Sequence, residues 1–242
     1  VILDRVTLTG ADESADPADL LRLSREFPFV EWGILYGSKE GTPRYPGSEW
    51  RTRLAKVAMG AVAEVRPMRL SAHLCSRWVR DFVLEGLYTF GQRLEEPIYA
   101  RVQLNFHAYH HPADPSFVAA ALRLSEWKEI IFQLDEVNDD LWKSSREKGI
   151  RAVPLFDTSG GAGVLPRSWP KPYANVYCGY AGGLGPENLV EQLRAISTQA
   201  IGPVPVWVDM ETRVRSEDDA VFDLDKCRRV LEAAAPFVGK RL

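Results

Sequence analysis

The run Val176-Tyr177-Cys178-Gly179-Tyr180, followed at once by Ala181-Gly182-Gly183-Leu184-Gly185-Pro186-Glu187-Asn188, decides the fold. A short β-rich segment passes straight into a glycine turn, and Pro186 stands where a helix should open. A helical pattern then runs to about Ser197, and Val204–Val208 reads as another strand. Strand, turn, helix and strand within about thirty residues make a βαβ unit, whose two strands lie parallel.

The same alternation extends outward. Ala152–Phe156 is a strand followed by a loop, Asp157–Trp169. Glu129–Leu134 is a strand followed by a helix over Asp139–Lys148, which Gly149 ends. Ala100–Phe106 precedes a helix that Asp114 caps and Pro115 opens, running to about Leu124. Met68–Leu74 leads to a helix from Ser76 to about Leu84. Phe29–Tyr36 leads through a polar loop, Gly37–Gly47, to a helix capped by Ser48 and reaching about Glu64. Val6–Thr9 precedes a helix over Pro17–Phe27, capped by Asp16. The eighth strand is followed by a last helix near Leu224–Ala235. Eight strands alternating with helices predict an α/β fold, a parallel eight-stranded (β/α)8 TIM barrel with residues 1–242 as a single domain. A doubly wound open sheet is the rival; the count of eight and the polar residues after the strands favour closure.

Composition bounds the function. The chain of 242 residues is close to the roughly 250 typical of such a barrel. Its net charge of −3 speaks against a nucleic-acid partner. No apolar run approaches the roughly 20 residues that cross a bilayer, so no membrane partner is expected. Val1-Ile2-Leu3-Asp4-Arg5 lacks the pattern of a signal peptide. Cys75, Cys178 and Cys227 form no CxxC pair, so neither a zinc site nor a disulfide framework is expected, and a cytoplasmic location is.

The glycine turn carries the chemistry. Glycines let backbone N–H groups approach an anion, and a helix start adds favourable charge. Asp209-Met210-Glu211-Thr212-Arg213-Val214-Arg215-Ser216 follows the last strand. In these barrels the loops after strands seven and eight frequently hold phosphate, and an arginine there adds charge-assisted hydrogen bonds. A phosphorylated small molecule is therefore the expected partner. His107, His110, His111 and Asp114 fit no zinc spacing, so neither a metal nor a cofactor is expected. The acidic run from Asp135 to Asp140 reads as a magnesium attractor or as a solvated helix start. Trp169 reads as a ring platform or as a loop anchor.

Residues Ala181–Asn188 resemble the seventh-loop phosphate motif of the phosphoribosylanthranilate isomerase family. Leu155-Phe156-Asp157, with Gly160-Gly161-Ala162-Gly163 and Trp169, is similar to its sixth-strand segment. Thr42-Pro43-Arg44-Tyr45, Gln103-Leu104 and Val208-Asp209 add weaker matches in the right order. The resemblance implies an Amadori rearrangement of an N-substituted aminoaldose phosphate to the aminoketose, as in tryptophan biosynthesis, by a monomer or homodimer. It gives Asp157 the part of general acid and sets Arg44 against the anthranilate carboxylate. Gln103, Asn105, Gly160, Gly161, Gly182, Gly183, Asp209, Glu211, Thr212 and Arg213 are the implied substrate contacts.

One departure bears on catalysis. The family ends its first strand with Cys-Gly, the cysteine acting as base; here the pair is Thr9-Gly10. A threonine hydroxyl is far too weak an acid to replace a thiol. His73 is the best substitute on chemistry, because imidazole titrates near neutrality; the alternative is a hydrogen-bonded structural histidine. Loop eight also departs, with Thr212-Arg213 in place of Ser-Gly. Three functions therefore stay open: a sugar-phosphate isomerase, a barrel that binds a phosphometabolite without turning it over, or an acid–base lyase or aldolase on the same barrel. No strand-end lysine stands out for Schiff-base chemistry.

Overall fold

Eight strands hydrogen-bond in sequence order, and the last returns to the first. They are β1 (Ile2–Thr9), β2 (Val30–Tyr36), β3 (Leu70–Leu74), β4 (Arg101–Leu104), β5 (Glu129–Leu134), β6 (Ala152–Phe156), β7 (Cys178–Ala181) and β8 (Pro205–Met210). Every pairing is parallel, so the chain folds as the expected closed (β/α)8 barrel. The computed structural model describes residues 1–61, 67–85, 98–107, 112–126, 128–135 and 137–242.

The helices among these residues are α1 (Pro17–Glu26), α2 (Ser48–Gly60), α3 (Arg77–Glu85), α4 (Pro115–Ser125), α5 (Asp139–Glu147), α6 (Leu189–Gln199) and α7 (Leu224–Ala234). Asp16 caps α1, its carboxylate accepting from the Ala18 N–H at 2.8 Å, with Pro17 in the first turn. Asp114 does the same for α4 through Ser116 N–H. Two expected helix starts are corrected. Ser48 is the first residue of α2, not its cap; Gly47 holds that position without a side-chain bond. Pro186 does not open α6, which begins at Leu189. Asn188 accepts from Gly185 N–H and donates to the Gly183 carbonyl, both at 2.9 Å, and so holds a separate turn ahead of the helix. The expected end of α2 at Glu64 falls outside the described residues.

Side chains alternate across each strand, so every second residue enters the barrel. Those facing outward pack under the helices: Trp32 is buried between β2 and α1, and its indole N–H donates to Ser24 Oγ at 2.9 Å. The interior is divided. One side is apolar, with Ile131, Leu155 and Trp207 in contact and Val153 and Tyr177 against them. The other side is charged. Glu31 is fully buried and accepts from Arg5 at 2.6 Å, Arg101 at 2.9 Å and Thr7 at 3.0 Å. Burial alone would raise the Glu31 carboxyl; Arg101 and Arg5 outweigh it and hold the group below its usual range. Arg101 joins the two halves, its guanidinium stacked 4.2 Å over Trp207. This charged column stands beneath the strand ends where the barrel opens.

Candidate active site

A cavity opens at the C-terminal ends of the strands, the functional face of this architecture. Two buried carboxyl groups line it from the ends of β6 and β8, on either side of β7, and Glu211 follows at its edge. Asp157, one residue past β6, accepts from Gln133 Nε2 and the Gly161 amide at 2.8 Å each. Its other oxygen accepts from Ser159 Oγ at 2.7 Å and the Ser159 amide at 3.2 Å. Four donors fix this side chain. Asp209, on β8, accepts the Thr9 hydroxyl at 2.7 Å. Burial raises the Asp209 carboxyl to about 7; Thr9 opposes the shift, and the charges of Glu211, Glu31 and Asp157 reinforce it.

Thr9 therefore serves as a donor that orients Asp209. The space for this contact comes from Gly33 on β2, where a Cβ would lie 2.2 Å from Thr9 Oγ1 and 2.8 Å from His73 Cε1. His73 is buried and shares a 2.7 Å hydrogen bond with Ser71. Burial pushes its imidazole down to about 3, with Glu31 opposing and Arg101 reinforcing. It is neutral at physiological pH, and its 3.9 Å approach to Asp209 is no ion pair. An imidazole held neutral by burial and bonded to Ser71 is a poor substitute for the cysteine, and it has the contacts of the alternative, a hydrogen-bonded structural histidine. Cys75, just past β3, is no better as a base: burial pushes its thiol up to about 11.

Gln103 and Asn105 line the same cavity, joined by a 3.0 Å hydrogen bond from Gln103 Nε2. Gln133, unremarked in the sequence, stands beside them; its polar side chain at an inward position of β5 was the available signal. The amide oxygens of Gln103 and Gln133 are buried without a hydrogen-bond partner among the described residues. Buried acceptors of this kind call for a donor.

The glycine turn after β7 forms another wall, through Gly182, Gly183 and Leu184. Among the described residues nothing accepts from the amides of Gly183 and Leu184, so both are available to an anion. Arg213 covers Gly185, which brings loop eight against loop seven. Gly183 has φ +62°, and a Cβ there would lie 2.6 Å from Leu165 N. Gly183→Ala is therefore expected to cost about 1–3 kcal/mol in strain and to weaken phosphate binding. Urea denaturation and phosphate titration test this; unchanged midpoints and affinity would refute it. Gly161 lines the cavity together with Gly182 and Gly183, and Gly160 and Gly161 both line the groove that adjoins it. Gly161 serves Asp157 through its amide, and Gly160 packs against His107.

Arg44 is placed otherwise than the resemblance implies. Its Nε reaches both oxygens of Asp219 at 2.8 and 2.7 Å, and Nη1 reaches Glu211 at 2.5 Å. Two acids of the chain's own occupy the guanidinium. Thr212 Oγ1 lies a further 3.4 Å from Nη1. Trp169 is a loop anchor, bonded to Gln192 at 2.9 Å and set edge-on to Tyr180.

No protein-family model and no curated protein matches the chain. Solved structures do. Phosphoribosylanthranilate isomerase from Thermus thermophilus superposes with a TM-score of 0.61 at 18% identity, over 96% of this chain and 98% of that one. The Thermotoga maritima enzyme gives 0.58 at 16% identity, over 96% and 99%. A phosphoribosylanthranilate isomerase in complex with reduced 1-(o-carboxyphenylamino)-1-deoxyribulose 5-phosphate gives 0.55 at 16%, over 96% and 99%. The chain has a phosphoribosylanthranilate isomerase-like fold. At such identity the likeness is one of fold alone.

Among the described residues no group of three His, Cys, Asp or Glu is arranged to hold a metal ion; His110, His111 and Glu136 lie outside them. His107 instead approaches Asp135 at 3.2 Å. No helix among the described residues is long and apolar enough to cross a membrane.

Proposed function

We propose that the barrel is a sugar-phosphate isomerase that carries out an Amadori-type rearrangement, with Asp157 and Asp209 as its acid–base pair. The observation that carries this reading is the convergence of two buried carboxyls on one cavity walled by free loop-seven amides. Phosphate is held by the amides of Gly183 and Leu184, with Arg213 adding charge. Asp157 takes the acid's part that the resemblance gives it: in its protonated form, with the Ser159 hydroxyl turned to accept, it protonates the ring oxygen as the C1–O bond breaks. The substrate nitrogen's lone pair forms the C=N bond. The base then removes the proton from C2, and the enolamine that results tautomerises to the ketone.

Asp209 supplies that base. It touches Thr9, the residue at the position the resemblance assigns to the basic cysteine. A group that titrates near the working pH is the most effective proton acceptor that is still ionised. The substrate to test is N-phenylribosylamine 5-phosphate, condensed from aniline and ribose 5-phosphate, beside phosphoribosylanthranilate. Asp157→Asn and Asp209→Asn should each lower turnover by about 10³-fold, as loss of an acid or base does. Because Asp209 must be unprotonated, kcat/KM should rise with pH through about 7. A profile that falls through that range would exchange the two roles, and full activity in either variant would refute the pair.

A second reading, a binding barrel without turnover, is favoured by Thr9 in the cysteine's position and by the occupied Arg44. Phosphate-dependent binding of both compounds with no conversion of either would select it.

A further inference from the structure

The groove beside Arg44 opens from the cavity through Glu211, which lines both. Around it, loop eight folds back on the loops after β1 and β2. Arg215 is buried and saturated: it donates to the Gly10 carbonyl at 2.5 Å, to Asp12 at 2.7 Å, and to Asp219 at 2.6 Å. Arg44 is held by Asp219 and Glu211, and its backbone amide donates to Asp12 at 2.7 Å. Anchored at main chain and side chain, the guanidinium is not free to swing to a ligand. Two guanidinium groups thus meet three carboxylates, and the cluster carries an excess of negative charge. Lys39 lines the outer part of the groove but is exposed, where its charge is screened.

The deeper cavity has the same polarity. Its unpartnered buried groups, Gln103 and Gln133 at 4% and 5% exposure, offer acceptor oxygens. Asp157, Asp209 and Glu211 add carboxylates. A ligand carboxylate entering here would have to displace Glu211 or Asp219 from Arg44 and would face the rest of the acids unpaired. A group bearing donors meets acceptors that already lack them.

We infer that the substituent on the substrate nitrogen carries no carboxylate and presents a basic amine to Glu211. This rests on the isomerase reading above and narrows its substrate: a sugar phosphate joined to a cationic amine component. At the nitrogen end of the substrate, away from Arg213 and the loop-seven amides, a carboxylate is disfavoured by Glu211 and Asp219, a use of repulsion for specificity.

The test uses reduced 1-arylamino-1-deoxyribulose 5-phosphates that differ only at the ortho position of the ring: carboxyl, hydrogen or aminomethyl. Calorimetry at fixed ionic strength should find the aminomethyl compound bound at least about tenfold more tightly than the carboxyl compound, a difference of about 1.4 kcal/mol. Glu211→Gln with Asp219→Asn frees Arg44 and should reverse that order; Glu211→Gln alone, which frees Nη1 and leaves Asp219 on Nε, should at least halve the difference if the double variant fails to fold. Tighter binding of the carboxyl compound to the unaltered protein would overturn the inference and leave the isomerase reading standing. An order left unchanged by the double variant, or a difference left unchanged by the single one, would also overturn it, since the preference would then arise elsewhere. If none of the three compounds binds or competes with inorganic phosphate, the isomerase reading and the inference fall together.

Discussion

Asp209→Asn is expected to yield a protein that is inactive yet more stable at pH 8. The Asp209 carboxyl is buried and rises from an ordinary value of 3.8 to about 7 on folding. A raised value means that the native state binds the proton more tightly than the unfolded chain. Stability is then fully present below the unfolded value and is lost as pH rises towards the folded one. Above pH 7 the penalty is complete. About three units at roughly 1.4 kcal/mol each set it on the order of 4 kcal/mol. Asparagine is neutral and still accepts the Thr9 hydroxyl, so it removes the penalty and keeps the contact. Urea denaturation should show the variant ahead at pH 8, with the gap shrinking towards pH 5. An equal gap at both values would show that Asp209 carries no such burden.

The second large effect lies lower in the barrel. Glu31→Gln should destabilise the protein by about 3 kcal/mol, because it takes the common partner from the buried Arg101, which keeps only the partly exposed Glu129, and from the part-buried Arg5. Glutamine has nearly the same shape, so the loss reports charge rather than volume. The Glu31 carboxyl is held low by Arg101 and Arg5 against the effect of burial. Its contribution is present above the unfolded value and fades as pH falls through the folded one. Chemical denaturation at neutral pH measures the difference; a change below about 1 kcal/mol, typical of an exposed pair, would refute the assignment of Glu31 as the buried counter-ion.

The fold was legible because each local device agreed with the whole. Asp16-Pro17 and Asp114-Pro115 mark helix starts in the sequence and act as such in the structure. Where readings slipped, a tertiary partner was responsible. β1 begins at Ile2 rather than Val6 because β8 runs beside it, pairing Ile2 with Pro205. α6 starts late because Asn188 folds back on Gly183. In the site, Asp157, Asp209 and Gln103 could be read from their places at strand ends. The state of Arg44 could not, since Asp219 lies 175 positions away. Nor could the neutrality of His73, which depends on burial that a sequence does not display. Gln133 and Gly33 were readable in principle, as inward positions with an unexpected polar group and an unexpected gap.

The contact between Thr9 and Asp209 joins residues 200 positions apart, and that between Arg215 and Asp12 spans 203. The contact that orients Asp209 therefore sits on the seam where the first strand meets the last, at one wall of the cavity. A chain emerging from the ribosome holds Asp157 and the glycine turn before it holds β8, and until then the first strand has no eighth to pair with. No ligand can stabilise the growing intermediate through this site, because half of the grip is still unmade. The pairing of Thr9 with Asp209 thus arrives in one late step, together with closure of the barrel.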